Sequence, residues 1–337
     1  MPGSSSLPSA FRAYVVDKPA DGSFTRGLRT LAPADLPPGE VTVGVEWSSV
    51  NFKDGLAARA DGKVAHAYQL VPGIDLAGTV LASDDPSVAP GSAVLANGYD
   101  IGTARHGGFG ELARIPAGWV VPLPEGLTAR DAMAIGTAGF TAAMSVEALE
   151  ARGLGPGDGP VLVTGASGGV GSAAVAILAA RGHEVWAATG KPDEHERLRR
   201  LGAAGFLSRE EATGAGRPLD SARWAAAVDT VGAATMPYVL RTLRIGAAVA
   251  SSGNASGAEL STTVLPFILR GVALLGMDSA NLPITPRRAL WQRVATDLRP
   301  RGIEDGVTEV DLESLEPALD AIVDGQARGR WVVRVGG

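Results

Sequence analysis

Cysteine is missing from the 337-residue chain. That absence excludes a disulfide framework, a thiolate nucleophile and any zinc site with a cysteine ligand. Charge of one sign is also scarce. Thirty Lys and Arg stand against 36 Asp and Glu, giving −6 at pH 7, and no block of five or six like charges occurs. No nucleic-acid partner and no membrane surface is expected, although a local basic pocket for one phosphorylated ligand is compatible with this balance. Histidine is limited to His66, His106, His183 and His195. Met1 to Ala10 lacks the charged segment followed by an apolar one that marks a secretory leader. The longest uncharged run, Gly159 to Ala180, raises the question of a membrane span. Its glycines, two serines and early Pro160 speak against one. The expectation is a soluble, cytoplasmic protein.

The length sets an expectation of two domains. With 45% hydrophobic and 20% charged residues, the chain can bury a sizeable core, so disorder as the main state is excluded. Glycine is abundant, 45 of 337, without a collagen period, which places the excess in turns and close backbone approaches. To about Val120 the sequence reads as β-rich. Val41 to Trp47 alternates at period 2, as do shorter runs near Thr79 to Ala82 and Ala93 to Ala96, separated by turn clusters such as Pro37-Pro-Gly and Ala89-Pro-Gly. Short strands at this spacing suggest a partly open barrel.

Near Thr128, a helix N-cap by type, the pattern changes, and Arg130 to Met144 has helical spacing. From Val161 to about Gly276 strands and helices alternate, which predicts βαβ units and a parallel sheet. The strands are predicted at Val161–Thr164, Val185–Ala188, Ala226–Asp229, Ala247–Ser251 and Ala273–Met277. Helices are predicted between them, at Val170–Arg181, His195–Leu201, Met236–Leu243 and Val264–Leu269. After Pro283 come a helix at Arg287–Leu298, a polar connection, a helix near Leu315–Val323 and a closing strand, Arg330–Val335, which reads as a return to the barrel.

Val161-Leu-Val-Thr-Gly-Ala-Ser-Gly-Gly-Val-Gly-Ser172 is strand, tight turn, helix start. The dinucleotide fingerprint falls here as Ala166-x-Gly168-x-x-Gly171, with alanine in place of the first glycine. Ala166, Ser167, Gly168, Gly169 and Val170 are thus candidates to hold a pyrophosphate at a helix N-terminus. The same residues satisfy G-x-S-x-G, the nucleophile elbow of serine hydrolases. That fold needs a histidine well beyond the serine, and none follows His195. At the end of the next strand, Ala187-Ala-Thr189-Gly190-Lys191 offers a hydroxyl, a turn and a cation, with no carboxylate before Asp193. A 2′-phosphate suits this set and a carboxylate would repel it, so NADPH is the expected cofactor.

Here the sequence resembles the medium-chain dehydrogenase/reductase superfamily, in its zinc-free acryloyl-CoA reductase and quinone-oxidoreductase-like subgroup. The resemblance is carried by Trp47-Ser-Ser-Val-Asn-Phe-Lys-Asp54, Val71-Pro-Gly-Ile-Asp-Leu-Ala-Gly-Thr79, Ala134-Ile-Gly-Thr-Ala-Gly-Phe-Thr141, Thr164 to Ser172, Ala227-Val-Asp-Thr-Val-Gly232 and Pro266-Phe-Ile-Leu-Arg-Gly271. It implies an α/β protein with a GroES-like β-barrel catalytic domain (1–127, completed by 283–337), a Rossmann doubly wound parallel-sheet domain (128–282), and a cofactor cleft between them. Zinc members use Cys, His and a further Cys or Asp, whereas Asn51 stands here at the usual first-ligand position, so no metal is expected. The resemblance implies NADPH-dependent reduction of the C=C bond of a short α,β-unsaturated acyl-CoA, with hydride going to the β-carbon. A quinone or enone oxidoreductase, and an NADPH-binding sensor without turnover, remain open alternatives.

Asn51, Phe52 and Asp54 are the candidate catalytic residues, with Lys53 a further polar group. Asp54 reads equally as a helix cap. A tyrosine often follows the motif asparagine in the subgroup, and Phe52 in its place cannot donate a proton. Thr137 and Thr141 are implied to orient the nicotinamide amide, or else to pack their helix. By the same resemblance Arg209 helps bind the adenosine phosphate, and Asn254 and Ser279 line the nicotinamide side. His106 matches a stretch near the cleft and reads better as a hydrogen-bonding residue than as a catalyst. The superfamily pairs edge strands into homodimers, and Ala273–Met277 is the candidate edge.

Overall fold

The computed structural model describes residues 7–336, so the first six residues of the stretch read for a leader lie outside the described residues. Two compact units make up the chain. One runs as far as Thr137 and is completed by Ala280–Ala295 and the segment from Val307 onward; the other is Ala138–Ser279 with Thr296–Gly306. The crossings fall after Thr137 and Ser279, not at 127 and 282. The long helix after Thr128 starts in the first unit and is broken at Gly136, one residue before the chain crosses.

The β-rich unit opens with β1 (Phe11–Asp17), β2 (Thr25–Leu31), β3 (Val41–Val50), the short helix α1 (Phe52–Ala57), β4 (Asp75–Ser83), β5 (Ala93–Asn97), β6 (Leu112–Ile115) and β7 (Val121–Pro122), then the start of α2 (Ala129–Ala151). The second unit continues with β8 (Val161–Thr164), α3 (Gly169–Ala180), β9 (Val185–Ala188), α4 (His195–Arg200), β10 (Ala203–Leu207), α5 (Arg209–Thr213), β11 (Trp224–Asp229), α6 (Met236–Thr242), β12 (Leu243–Ser251), α7 (Leu265–Arg270) and β13 (Ala273–Gly276). Helix α8 (Ile284–Ala295), β14 (Val307–Asp311), α9 (Leu315–Val323) and β15 (Arg330–Arg334) return to the first.

In the first unit the described strands form a β1–β2 hairpin and a sheet in the order β14-β15-β3-β4-β5-β7, with β6 also paired to β3. The closing strand β15 is an interior strand here, parallel to β14 and antiparallel to β3. Val41, Val43 and Val45, the alternating positions of β3, are all buried. Leu76, Leu95, Ile101 and Ile115 are fully enclosed in the same unit. Each contributes about 1.5–3 kcal/mol by leaving water.

In the second unit a six-stranded parallel sheet has the order β10-β9-β8-β11-β12-β13. Strand β8 is buried along its whole length, which is why it is a continuous apolar run. The uncharged run that raised the membrane question is β8, a turn and α3, too short in each piece to span. The described helix with the length and composition to cross a membrane is α2, and 78% of that apolar stretch is buried inside the protein. Strands β10 and β14 were not anticipated. Ala203-Ala-Gly-Phe-Leu has no β-branched residue, and Val307-Thr-Glu-Val-Asp is largely exposed. Pairing with β9 and β15 holds them as strands, beyond what their own propensities do.

Where α3 meets the turn after β8, a Cβ at Gly171 would overlap the Gly165 carbonyl and stand 2.7 Å from Ala166 Cα. Replacing Gly171 with Ala is expected to cost about 1–3 kcal/mol of stability through that overpacking. Denaturant unfolding checks it, and an unchanged midpoint refutes it.

Candidate active site

The sheet of the second unit reverses its order between β8 and β11, so their carboxyl ends frame a crevice of the kind that receives ligands in open α/β folds. The backbone there is held by Asp229. This buried carboxylate accepts from Thr164 Oγ1 and Thr235 Oγ1, both at 2.6 Å, and from the Gly232 amide at 2.9 Å. Gly165 turns the chain with a φ of +59°, and a Cβ on it would overlap the Thr230 hydroxyl. Gly168 is the N-cap of α3, is exposed, and has no side chain capping the helix from it. The first amides of a helix have no partner within it. The Gly168 N–H is already donated to Gly165 O at 3.0 Å. Gly169 and Val170 are the residues that open the helix. Ala166 is enclosed and donates its N–H to Ala188 O, so it serves the turn's shape.

The 2′-phosphate candidates converge. Ser167 Oγ accepts from Thr189 Oγ1 at 3.1 Å, and the Lys191 amide donates to Thr189 Oγ1 at 3.1 Å. Arg209 lies over Gly190, whose Cβ would stand 2.8 Å from the guanidinium. A residue that sequence reasoning missed reaches the glycine turn itself: Arg197 of α4 donates Nη2 to Ser167 O at 3.0 Å. Further along, Ser279 Oγ accepts from Thr141 Oγ1 at 2.7 Å. Asn254 is exposed in the turn after β12, its carbonyl accepting from the Gly257 amide.

The first unit carries a buried polar network. Asp75 accepts from Ser49 Oγ (2.5 Å), Asn51 Nδ2 (2.8 Å), the Thr137 amide (2.9 Å) and Thr137 Oγ1 (2.5 Å). Arg330, fully enclosed, donates to Ala134 O (3.0 Å), Asn51 Oδ1 (3.2 Å) and Ser49 Oγ (2.9 Å). Asn51 and Ser49 thus link a guanidinium to a carboxylate. The break at Gly136 makes this possible, because it releases the Ala134 carbonyl and the Thr137 amide from the helical ladder. A Cβ at Gly136 would stand 2.5 Å from Arg330 Nη2 and 2.7 Å from Asp75 Oδ2. On the far side, Asn97 donates Nδ2 to Thr137 Oγ1 at 3.3 Å and accepts at Oδ1 from Arg287 and Trp291, both at 3.1 Å. Sequence reading named Asn51 and Thr137. Asp75 and Arg330, which hold them, were missed although both lie in runs already singled out or read as the closing strand.

Asp54 is fully enclosed beneath Asn51. Its carboxylate accepts from the amides of Asn51 (2.8 Å), Ile74 (2.8 Å) and Gly73 (3.2 Å), completing a capping box on α1. These contacts match the reading of Asp54 as a helix cap. Burial, then the charge of Asp75, pushes its pKa up to about 7 against the pull of those donors. Phe52 is 45% exposed at the start of α1, and Lys53 is exposed. His106 accepts at Nδ1 from the Val71 amide at 3.4 Å, and burial lowers its pKa.

A zinc ion does not fit these residues. Asn51 spends both ends of its amide on Asp75 and Arg330, Asp54 is committed to backbone amides, and the chain has no cysteine. Among the described residues no group of three or more His, Asp or Glu is placed to hold a metal.

Residues 37–125 match the family described as alcohol dehydrogenase GroES-like domain, and residues 169–296 that described as zinc-binding dehydrogenase. The chain is 49% identical over 328 residues to the acrylyl-CoA reductase AcuI of Ruegeria pomeroyi, covering 96% of this chain and 99% of that protein. It is 43% identical over 331 residues to the putative quinone oxidoreductase YhfP of Bacillus subtilis, covering 98% and 100%. The YhfP crystal structure with NAD bound superposes at a TM-score of 0.94, covering 97% of this chain and all of that one. The YhdH oxidoreductase of Salmonella enterica in complex with NADP does so at 0.93, with 44% identity, covering 96% and 100%. The chain belongs to the medium-chain dehydrogenase/reductase superfamily, with a GroES-like domain and a Rossmann-like parallel sheet. Within it, the chain falls with the acrylyl-CoA reductases and their quinone-oxidoreductase-like relatives.

The Asp54 pKa has a consequence for stability. Because it is raised above its unfolded value near 4, the folded protein takes up a proton relative to the unfolded chain between pH of about 4 and 7. Unfolding free energy is expected to fall with rising pH in that window, by up to about 1.4 kcal/mol per unit. The Asp54→Asn variant should flatten that slope in urea titrations from pH 4.5 to 8. An equally steep slope in the variant refutes the assignment.

Proposed function

We propose that this protein is an NADPH-dependent reductase that saturates the C=C bond of a short α,β-unsaturated acyl-CoA of the acryloyl-CoA type. The observation that carries the reading is the nucleotide grip: free helix amides at Gly169 and Val170, with Thr189, Lys191 and Arg209 gathered where a ribose 2′-phosphate belongs and no carboxylate among them. Similarity to AcuI over nearly the whole chain supports the substrate class. When bound, NADPH supplies the hydride that adds to the β-carbon.

The chain's own work is to bind and orient. The Gly169 and Val170 amides hold the diphosphate, and the Lys191 and Arg209 cations select the 2′-phosphate. Thr137 is fixed by Asp75 and Asn97 in the β-rich unit, and Thr141, paired with Ser279, is the hydroxyl the parallel-sheet unit offers to the nicotinamide amide. The Asn51 amide, anchored between Arg330 and Asp75, keeps one geometry. No step passes through zinc, for which the residues do not fit. A thioester conjugated to the double bond delocalises the developing enolate charge itself, so hydrogen-bond donors suffice where a ketone reductase uses a Lewis acid. Phe52 cannot supply the α-carbon proton, which comes instead from water or from another side chain. YhfP similarity favours a second reading, a quinone or enone reductase using the same grip.

We further propose that the enzyme is a cytoplasmic homodimer. Strand β13 is one of the two end strands of its sheet, and Val264, Ile268, Leu269 and Leu274 are exposed beside or on it. Light scattering should give a dimer for the wild type and a monomer for Leu274→Lys; a monomeric wild type refutes the pairing.

NADPH oxidation should be fastest with acryloyl-CoA, slower with crotonyl-CoA and slowest with a small quinone. A preference for the quinone moves the assignment to the second reading. Silence with all three, with NADPH still bound, leaves a binding protein without turnover. Arg209→Met should weaken NADPH about tenfold or more and leave NADH unchanged, as loss of one charge-assisted contact requires.

A further inference from the structure

Helix α4 carries three arginines in the run Glu196-Arg-Leu-Arg-Arg200, and the sequence gives no reason to separate them. The structure does. Arg199 and Arg200 have side chains 58% exposed, in loose pairs with Glu196 at 3.8 and 3.6 Å. The Arg197 side chain is 15% exposed and is paired through Nε at 2.7 Å with Glu194, whose own side chain is 7% exposed. Its Nη2 reaches out of α4 to the carbonyl of Ser167, 3.0 Å away and 30 residues earlier, inside the glycine turn.

One peptide bond is thereby held from both ends. The Ser167 carbonyl accepts from Arg197, while the amide of the same peptide, on Gly168, donates to Gly165 O at 3.0 Å. Gly168 has open space around it, the nearest atom to a Cβ placed there being Gly165 O at 3.4 Å. The glycine on its C-terminal side leaves this peptide fewer steric restraints than another residue would. If it flipped, a carbonyl oxygen would turn toward the amides that await an anion, and the partial charges would oppose phosphate binding. The Glu194 partner keeps Arg197 from swinging into solvent, and its enclosed position makes the pair stronger than one at the surface.

We infer that Arg197 is a positioning residue for the diphosphate turn, fixing the Ser167–Gly168 peptide, and not a member of the 2′-phosphate cage formed by Lys191 and Arg209. The inference rests on the nucleotide grip proposed above. It predicts that Arg197 serves both pyridine nucleotides alike, because NADPH and NADH share the diphosphate and differ in the 2′-phosphate.

Fluorescence titration of NADPH and NADH against the wild type, Arg197→Met, Arg197→Lys and Arg209→Met tests it. Arg197→Met should raise Kd for both nucleotides by the same factor, about tenfold for one lost charged hydrogen bond, whereas Arg209→Met should raise only that for NADPH. At saturating NADPH, kcat should be unchanged in Arg197→Met, with KM for the nucleotide raised. Arg197→Lys, which keeps a donor, should recover part of the loss, and it reads the same effect if the Met variant fails to fold. A loss confined to NADPH would make Arg197 a 2′-phosphate ligand, and unchanged binding of both would make it a bystander ion pair; either overturns the inference. Wild-type turnover with acryloyl-CoA is read separately, so an error in substrate class does not disturb the binding comparison.

Discussion

Asp75 is the constraint on which the β-rich unit turns. An enclosed carboxylate is costly unless donors replace the water it has lost, and four donors converge on this one. Ser49 and Asn51 reach it from the end of β3 and the residue after it, and Thr137 supplies both its amide and its hydroxyl from the broken helix. Each donor is itself held from behind. Arg330 grips Ser49 and Asn51, and Asn97 grips Thr137 with Arg287 behind it. Two guanidiniums therefore face two carboxylates, Asp54 and Asp75, through neutral intermediaries. Such an arrangement leaves little slack, since turning any amide or hydroxyl strands a polar atom without water.

The parallel-sheet unit solves a different problem with weaker means. It must leave amides exposed where an anion is to bind, so the order comes from the flanks. Asp229 secures the strand ends beneath the turn, and Thr189 and Arg197 lace the following loop to Ser167. The cations there come from three successive pieces of one stretch: the loop after β9, helix α4 and helix α5.

Much of this was legible before any coordinates. The parallel sheet declared itself through the strand–turn–helix at Val161 to Ser172, because uninterrupted apolar strands and helical spacing are local signals. Asn51 and Thr137, singled out through motif, are both held in the polar network around Asp75. What escaped detection was long-range. Strands β10 and β14 depend on neighbours for their form. Asp75 lay in a quoted run, yet nothing in Gly-Ile-Asp-Leu-Ala announces that four donors will meet it. Arg330 sits 255 positions later in a strand that reads only as alternation. Arg197 looked like any lysine or arginine on a solvated helix face. Asp54 was legible as both cap and reactant, and the structure shows it buried as a cap.

The interruption at Gly136 bears on how the polypeptide is made. The Ala134 carbonyl that it releases is satisfied by a guanidinium from β15, and β15 itself fills a place between β14 and β3. Synthesis proceeds from the amino end, so β1 to β7 emerge with an interior sheet position vacant and a helix turn incomplete. The parallel-sheet unit, nearly continuous in the chain, can finish while its sister waits. The last seam of the barrel half is thus sewn only when residue 330 leaves the exit tunnel, after residues 138–279 of the other half have already emerged.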